Sequence, residues 1–133
     1  MLMRKISLKT SSRVEMIDIT ASVQKVVRDE GVPSGLCLVY TPHTTAAITI
    51  NENADPDVQR DMIAALDKAV PLSANYRHAE GNSAAHVKSS LVGASELMII
   101  ENGHLALGTW QSVFFCEFDG PRTRDVIIKV LRD

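Results

Sequence analysis

The amino-acid sequence predicts an α+β domain built on antiparallel sheets, and three observations carry that expectation. Short apolar runs of strand character fill both ends of the 133-residue chain, and helical-period segments interrupt them without a regular βαβ rhythm. Asn102-Gly103 directly follows one such run, and this dipeptide suits the tight turn of an antiparallel hairpin. The glycine patterns of phosphate-loop and dinucleotide-binding folds are absent, and no internal repeat stands out.

Taken in order, Ile6 and Leu8, then Val14 and Met16, alternate with polar residues on either side of Thr10-Ser11-Ser12, which reads as a hairpin with one buried face. Ile19, Val23, Val26 and Val27 fall at helical spacing, and Gly31 and Pro33 stop the run. Gly35 to Tyr40 and Ala46 to Ile50 are short apolar strands, the first too continuous to have a wet face. Asp55-Pro56 marks a helix start, because the carboxylate caps free amides and proline at the first helical position loses no hydrogen bond. Val58, Met62, Ile63, Leu66, Ala69 and Val70 then form a stripe expected to be buried, ended by Pro71. A short helix from Ala84 to Leu91, capped by Asn82 or Ser83 and closed by Gly93, precedes a β-rich last third. There Leu97 to Ile100, Gln111 to Phe118 and Asp125 to Leu131 read as strands, for an order of roughly ββαββαβββ.

The length fits one domain over residues 1–133, and 45% hydrophobic with 23% charged residues is ordinary for a soluble globular protein. A net charge of −2, with 14 basic and 16 acidic residues interspersed, argues against nucleic acid or an anionic membrane as partner. Two cysteines, Cys37 and Cys116, each inside an apolar run, read as free core thiols. No leader-like or membrane-spanning apolar block is seen, so a reducing, cytoplasmic setting is expected.

Chemistry concentrates in YRHAEGNSAAHVKSS, residues 76–90, the most polar long stretch, which holds His78 and His86. His43 lies in a threonine-rich loop at a strand end, where a rigid sheet can present it; His104, after the Asn-Gly turn, reads as surface. Three converging imidazoles suit zinc or a similar divalent metal with an open position. The same three groups could instead exchange protons directly, and spacing does not separate these readings. Asn51 and Glu52, where a strand gives way to a helix, could ligate a metal, orient a histidine or hold a substrate hydroxyl. Lys88, Ser89 and Ser90 offer a cation and two hydroxyls suited to phosphate, and Trp110 and Gln111 are further substrate-contact candidates.

The stretches TPHTTAAITINENADPDVQRDM, NYRHAEGNSAAHVKSSLVG and ENGHLALGTWQSVFFCEFDGPR together resemble the YjbQ-type family, often labelled secondary thiamine-phosphate synthase. The resemblance covers nearly the whole chain. It implies two packed sheets, a β-sandwich of about seven strands with flanking helices, and a homotrimer with sheets around the threefold axis. It matches His43, His78 and His86 as catalytic and metal-ligating residues, Glu52 as catalytic, and Asn51 and the Gly108–Gln111 motif as further site residues; some members carry an acidic residue where this chain has Ala79. It also implies a transferase joining an aminopyrimidine pyrophosphate to a thiazole phosphate, with magnesium accompanying the pyrophosphate. A metal-dependent hydrolase and a non-catalytic trimeric metal- or metabolite-binding protein are the alternatives.

Overall fold

The computed structural model describes residues 2–133. Eight strands and three helices follow in the order β1 (Leu2–Lys9), β2 (Glu15–Asp18), α1 (Thr20–Glu30), β3 (Ser34–Tyr40), β4 (Ala46–Glu52), α2 (Pro56–Ala69), α3 (Ser83–Val92), β5 (Ser95–Glu101), β6 (His104–Leu105), β7 (Gln111–Glu117) and β8 (Thr123–Arg132). A five-stranded sheet, β1-β8-β3-β5-β6, packs on a three-stranded sheet, β2-β7-β4, and every pairing is antiparallel.

Period-two alternation builds the core. Cys37 and Val39 of β3, Met98 and Ile100 of β5, and Val126, Ile128 and Val130 of β8 point inward from the larger sheet. They meet Ile48 of β4 and Val113 and Phe115 of β7, while Val23, Val26 and Val27 of α1 close one end. Each fully buried aliphatic or aromatic side chain contributes roughly 1.5–3 kcal/mol. The outer face of the small sheet is covered too: Ala47, Phe114, Cys116 and Phe118 pack beneath Ala85 of α3, with Leu66 of α2 at the margin. This explains why β7 is buried from Val113 to Glu117 at every position. Burial raises both free thiols, Cys37 to about 11 and Cys116 to about 12, so neither is a reactive thiolate at neutral pH.

Helix signals behave as their local chemistry dictates. Gly31 ends α1 in the left-handed conformation, and the Asp55 carboxylate accepts the Asp57 amide at the start of α2. Asn102 and Gly103 both have positive φ, closing the β5–β6 hairpin, and His104 is exposed as expected. Asn82 occupies the cap position of α3 without a side-chain cap bond.

Three expectations fail. β1 and β2 form no hairpin: β1 pairs with β8 and β2 with β7, in different sheets. The Thr10-Ser11-Ser12 turn instead crosses between layers, with Thr10 bonded to the Arg122 backbone. β3 does have an open face, since Leu36 and Tyr40 are exposed and Leu38 half-buried, alternating with the buried Cys37 and Val39. No residue of α2 is buried, because the helix stands off the small sheet and leaves an apolar cleft of about 560 Å³ under Met62, Ile63 and Leu66. Among the described residues no helix is long and apolar enough to cross a membrane.

Candidate functional site

Four chain segments converge at the β4 entrance to form a polar cavity of about 350 Å³. His43 and Thr44 come from the loop before β4, His78 and Glu80 from the loop after α2, Asn82 and His86 from the start of α3, and Asp119 and Arg122 from the β7–β8 connection with Arg124 at the start of β8. The three histidines predicted to converge therefore share one cavity. His78 and His86 meet edge to face, with ring centroids 5.6 Å apart, and Glu80 lies 3.8 Å from His78 Nε2. Asn82 Nδ2 donates to Asp119 Oδ2 at 2.9 Å, which ties the start of α3 to the wall opposite. Arg122 is held by the same loop, donating to the Asp119 backbone at 2.8 Å and to Asp119 Oδ2 at 3.0 Å.

Beneath the cavity lies a buried ion pair that the sequence reading missed. Glu117 is 0% and Arg124 2% exposed, and their side chains are joined by two charge-assisted hydrogen bonds, Nε–Oε1 at 2.9 Å and Nη2–Oε2. Arg124 also donates to Thr45 Oγ1 at 2.8 Å, while Glu117 accepts from Thr10 Oγ1 at 2.7 Å and the Asp119 amide at 3.0 Å. A buried carboxylate survives only with such a full complement of donors. Burial opposes its charge, but the Arg124, Asp119 and Thr10 hydrogen bonds prevail and hold the Glu117 carboxyl below its ordinary 4.5. The signal was present as strand parity: Glu117 falls in step with Val113 and Phe115, and Arg124 with Val126 and Ile128. Two opposite charges at core positions imply a pair.

This pair positions His43. Arg124 grips Thr45, two residues after the histidine, and the Asp125 amide next to Arg124 donates to His43 Nε2 at 2.9 Å. An Nε2 that accepts from a backbone amide leaves the neutral ring its proton on Nδ1, so His43 offers a donor. Burial, and then the Arg124 charge, hold the imidazole below its ordinary 6.5. The expected three-histidine metal centre does not fit this arrangement, because ligation through either His43 nitrogen requires breaking that bond or placing two N–H groups against each other. Among the described residues no group of three or more His, Cys, Asp or Glu is arranged to hold a metal ion.

Other expected site residues lie elsewhere. Lys88 is 1% exposed and faces away from the cavity, bonded to Asp67 of α2 and 5.9 Å from the Phe118 ring centre. Its ammonium fastens α3 to α2 rather than meeting a phosphate. Removing Asp67 strands that buried cation, whereas removing Lys88 strands a half-exposed carboxylate that water can solvate. Asp67→Ala should therefore cost about 2–3 kcal/mol in urea unfolding and Lys88→Met under about 1 kcal/mol; equal costs would contradict the asymmetry. Ser89 is also committed, donating to the Ala46 carbonyl at 2.6 Å, while Ser90 is exposed beside His86. Asn51 and Glu52 occupy the opposite end of β4, about 20 Å along the strand from Thr45. They sit in register with Ser112 and Gln111, and Trp110 beside them is 63% exposed. Gln111 Oε1 accepts the Gly108 amide at 2.8 Å, closing the turn before β7. Within one chain these four residues form a separate cluster.

Comparison with known proteins agrees with this fold. The chain is 55% identical over 131 residues to the UPF0047 protein YugU of Bacillus subtilis, covering 98% of this chain and 99% of the relative. It is 50% identical to a UPF0047 protein of Methanocaldococcus jannaschii, covering 97% and 94% respectively. A crystal structure of a YjbQ/UPF0047-family protein from Clostridium acetobutylicum superposes with a TM-score of 0.95 at 56% identity, covering 96% of this chain and 99% of that one. A YbjQ-like protein from Sulfolobus solfataricus does so with a TM-score of 0.95 at 30% identity, covering 99% and 97%. The family model described as "UPF0047 protein YjbQ-like" matches residues 4–133, and the chain belongs to that family.

Proposed function

We propose that the protein is an enzyme acting on a phosphorylated small molecule, and that the specific reaction to test is formation of thiamine phosphate from an aminopyrimidine pyrophosphate and a thiazole phosphate. The observation that supports this most is the convergence of His43, His78, His86, Arg122 and Arg124 from separate segments into one cavity. Both arginines already have carboxylate partners, so added phosphate charge calls for protonated histidines or a divalent cation bound with the substrate. We therefore assign magnesium to the pyrophosphate substrate, in place of a resident metal on three histidines.

In that reaction the thiazole nitrogen forms a bond to the pyrimidine methylene carbon as the carbon–oxygen bond to pyrophosphate breaks. The electron pair leaves with the pyrophosphate oxygen, and no proton need be removed. Donors aimed at the developing negative charge are what such a step requires, and the His43 Nδ1–H is one. Incubating the purified protein with both precursors and magnesium tests the reading. Thiamine phosphate above a His86→Ala control supports it; none above that control overturns the synthase assignment.

The same reading includes a trimer. On the outer face of the larger sheet Leu97 and Ile99 are both 58% exposed, with Leu36 and Leu131 in register beside Ile99 and Met3, 63% exposed, beyond Lys129. Such a contiguous apolar face is unusual on a monomer and suits burial of about 800 Å² per partner against further copies of the chain. The number three comes from the family resemblance. Light scattering should give about three times the chain mass of 14.5 kDa, and a monomer would contradict it.

A further inference from the structure

Resting on the phosphate reading above, we propose that the site takes a two-part ligand: a phosphate head in the histidine–arginine cavity and a planar ring in an adjoining compartment beneath Tyr40. A second cavity of about 550 Å³ lies on the far side of the His43–Thr44 loop. His43, Thr44 and His86 line both spaces, so they form a shared wall. The chemistry changes across that wall. The first space is lined only by polar and charged side chains, the second by Tyr40, Pro42, Ala94 and Gly93 together with small hydroxyls.

Helical periodicity makes the two spaces one track. Asn82, His86, Ser89 and Gly93 recur along a single stripe of α3 and its end, and Asn82 to Ser90 spans about 12 Å. The wall is pinned from both sides: the Thr41 amide donates to the Ala94 carbonyl at 2.9 Å and the Ile48 amide to the Gly93 carbonyl at 3.0 Å. Thr41 and Ser89 spend their hydroxyls on the Asp125 and Ala46 carbonyls. The Tyr40, Thr44 and Ser90 hydroxyls have no partner among the described residues and remain to orient a ring's polar edge. A phosphate alone occupies part of the first space and leaves the second unused, whereas a phosphate ester of an aromatic or heteroaromatic ring reaches past the shared His43–Thr44–His86 wall into both. A pocket joining apolar walls to a few convergent polar groups is the usual form of a small-molecule site.

Titration calorimetry with inorganic phosphate and phenyl phosphate, each with and without magnesium, separates the two parts. Wild-type protein should bind phenyl phosphate at least about tenfold more tightly than inorganic phosphate. Ala94→Trp, which fills the second compartment from an exposed loop position, should abolish that gain and leave inorganic phosphate affinity unchanged. Ser90→Phe should do the same from the helix side, with thermal unfolding as the check that each variant is folded. Arg122→Ala should weaken both ligands. If inorganic phosphate binds but phenyl phosphate binds no better, or neither blocking variant reduces the difference, the ring compartment is overturned while the phosphate site stands. If neither ligand binds, the phosphate reading falls and this inference with it.

Discussion

Glu117→Ala should lower the unfolding midpoint by about 10–15 °C, the loss of about 3–5 kcal/mol that follows when one partner of a buried pair is removed. The variant leaves Arg124, 2% exposed, with Thr45 as its remaining acceptor and frees Thr10 and the Asp119 amide from their carboxylate. Glu117→Gln keeps an acceptor oxygen without the charge and should fall between the variant and the wild type. The pH dependence provides an independent check. The folded Glu117 carboxyl is held below its ordinary 4.5, so its contribution is complete above that pH and fades as pH falls toward the folded value. His43 is held below 6.5, so acid protonates the unfolded chain first and erodes stability in the same direction. The wild type should thus lose stability steadily on acidification below about pH 6.5, and Glu117→Ala should flatten the limb below 4.5. An unchanged acid limb would mean that Glu117 is not charged in the fold.

His86→Ala should reduce turnover of the phosphorylated substrate by at least about 100-fold, the lower range for removing a positioned proton-exchanging or hydrogen-bonding group. The fold should not suffer. His86 lies in the first turn of α3, half-buried, and its ring makes no hydrogen bond that holds another element. Alanine is also the better helix former, so the unfolding midpoint should stay within a few degrees. A variant as active as the wild type would remove the cavity from the reaction. One that unfolds instead would make His86 a structural residue.

Signals confined to a few residues were legible in the sequence. The Asp55-Pro56 helix start, the Gly31 stop and the Asn102-Gly103 turn each depend on contacts within a turn of chain, and all three stand. Pairing was not legible in the same way. Ser7 faces Asp125 across the sheet, and nothing near either residue distinguishes that partner from a hairpin through Thr10. The site divides along the same line. His43, His78 and His86 could be grouped because the motifs that carry them match a family. Lys88 looked like a phosphate ligand because its local companions are serines, but its environment is set by Asp67, 21 residues earlier, and by Phe118. Glu117 and Arg124 had a readable strand parity, yet only the folded sheets show that their alternating positions end at the same depth.

Titration of magnesium pyrophosphate into wild-type protein and His86→Ala tests the phosphate cavity most directly. Wild-type protein should bind one pyrophosphate per chain saturably, with a dissociation constant below about 1 mM, and the variant should bind at least about tenfold more weakly. No saturable heat with or without magnesium, or equal affinity in the two proteins, would contradict it.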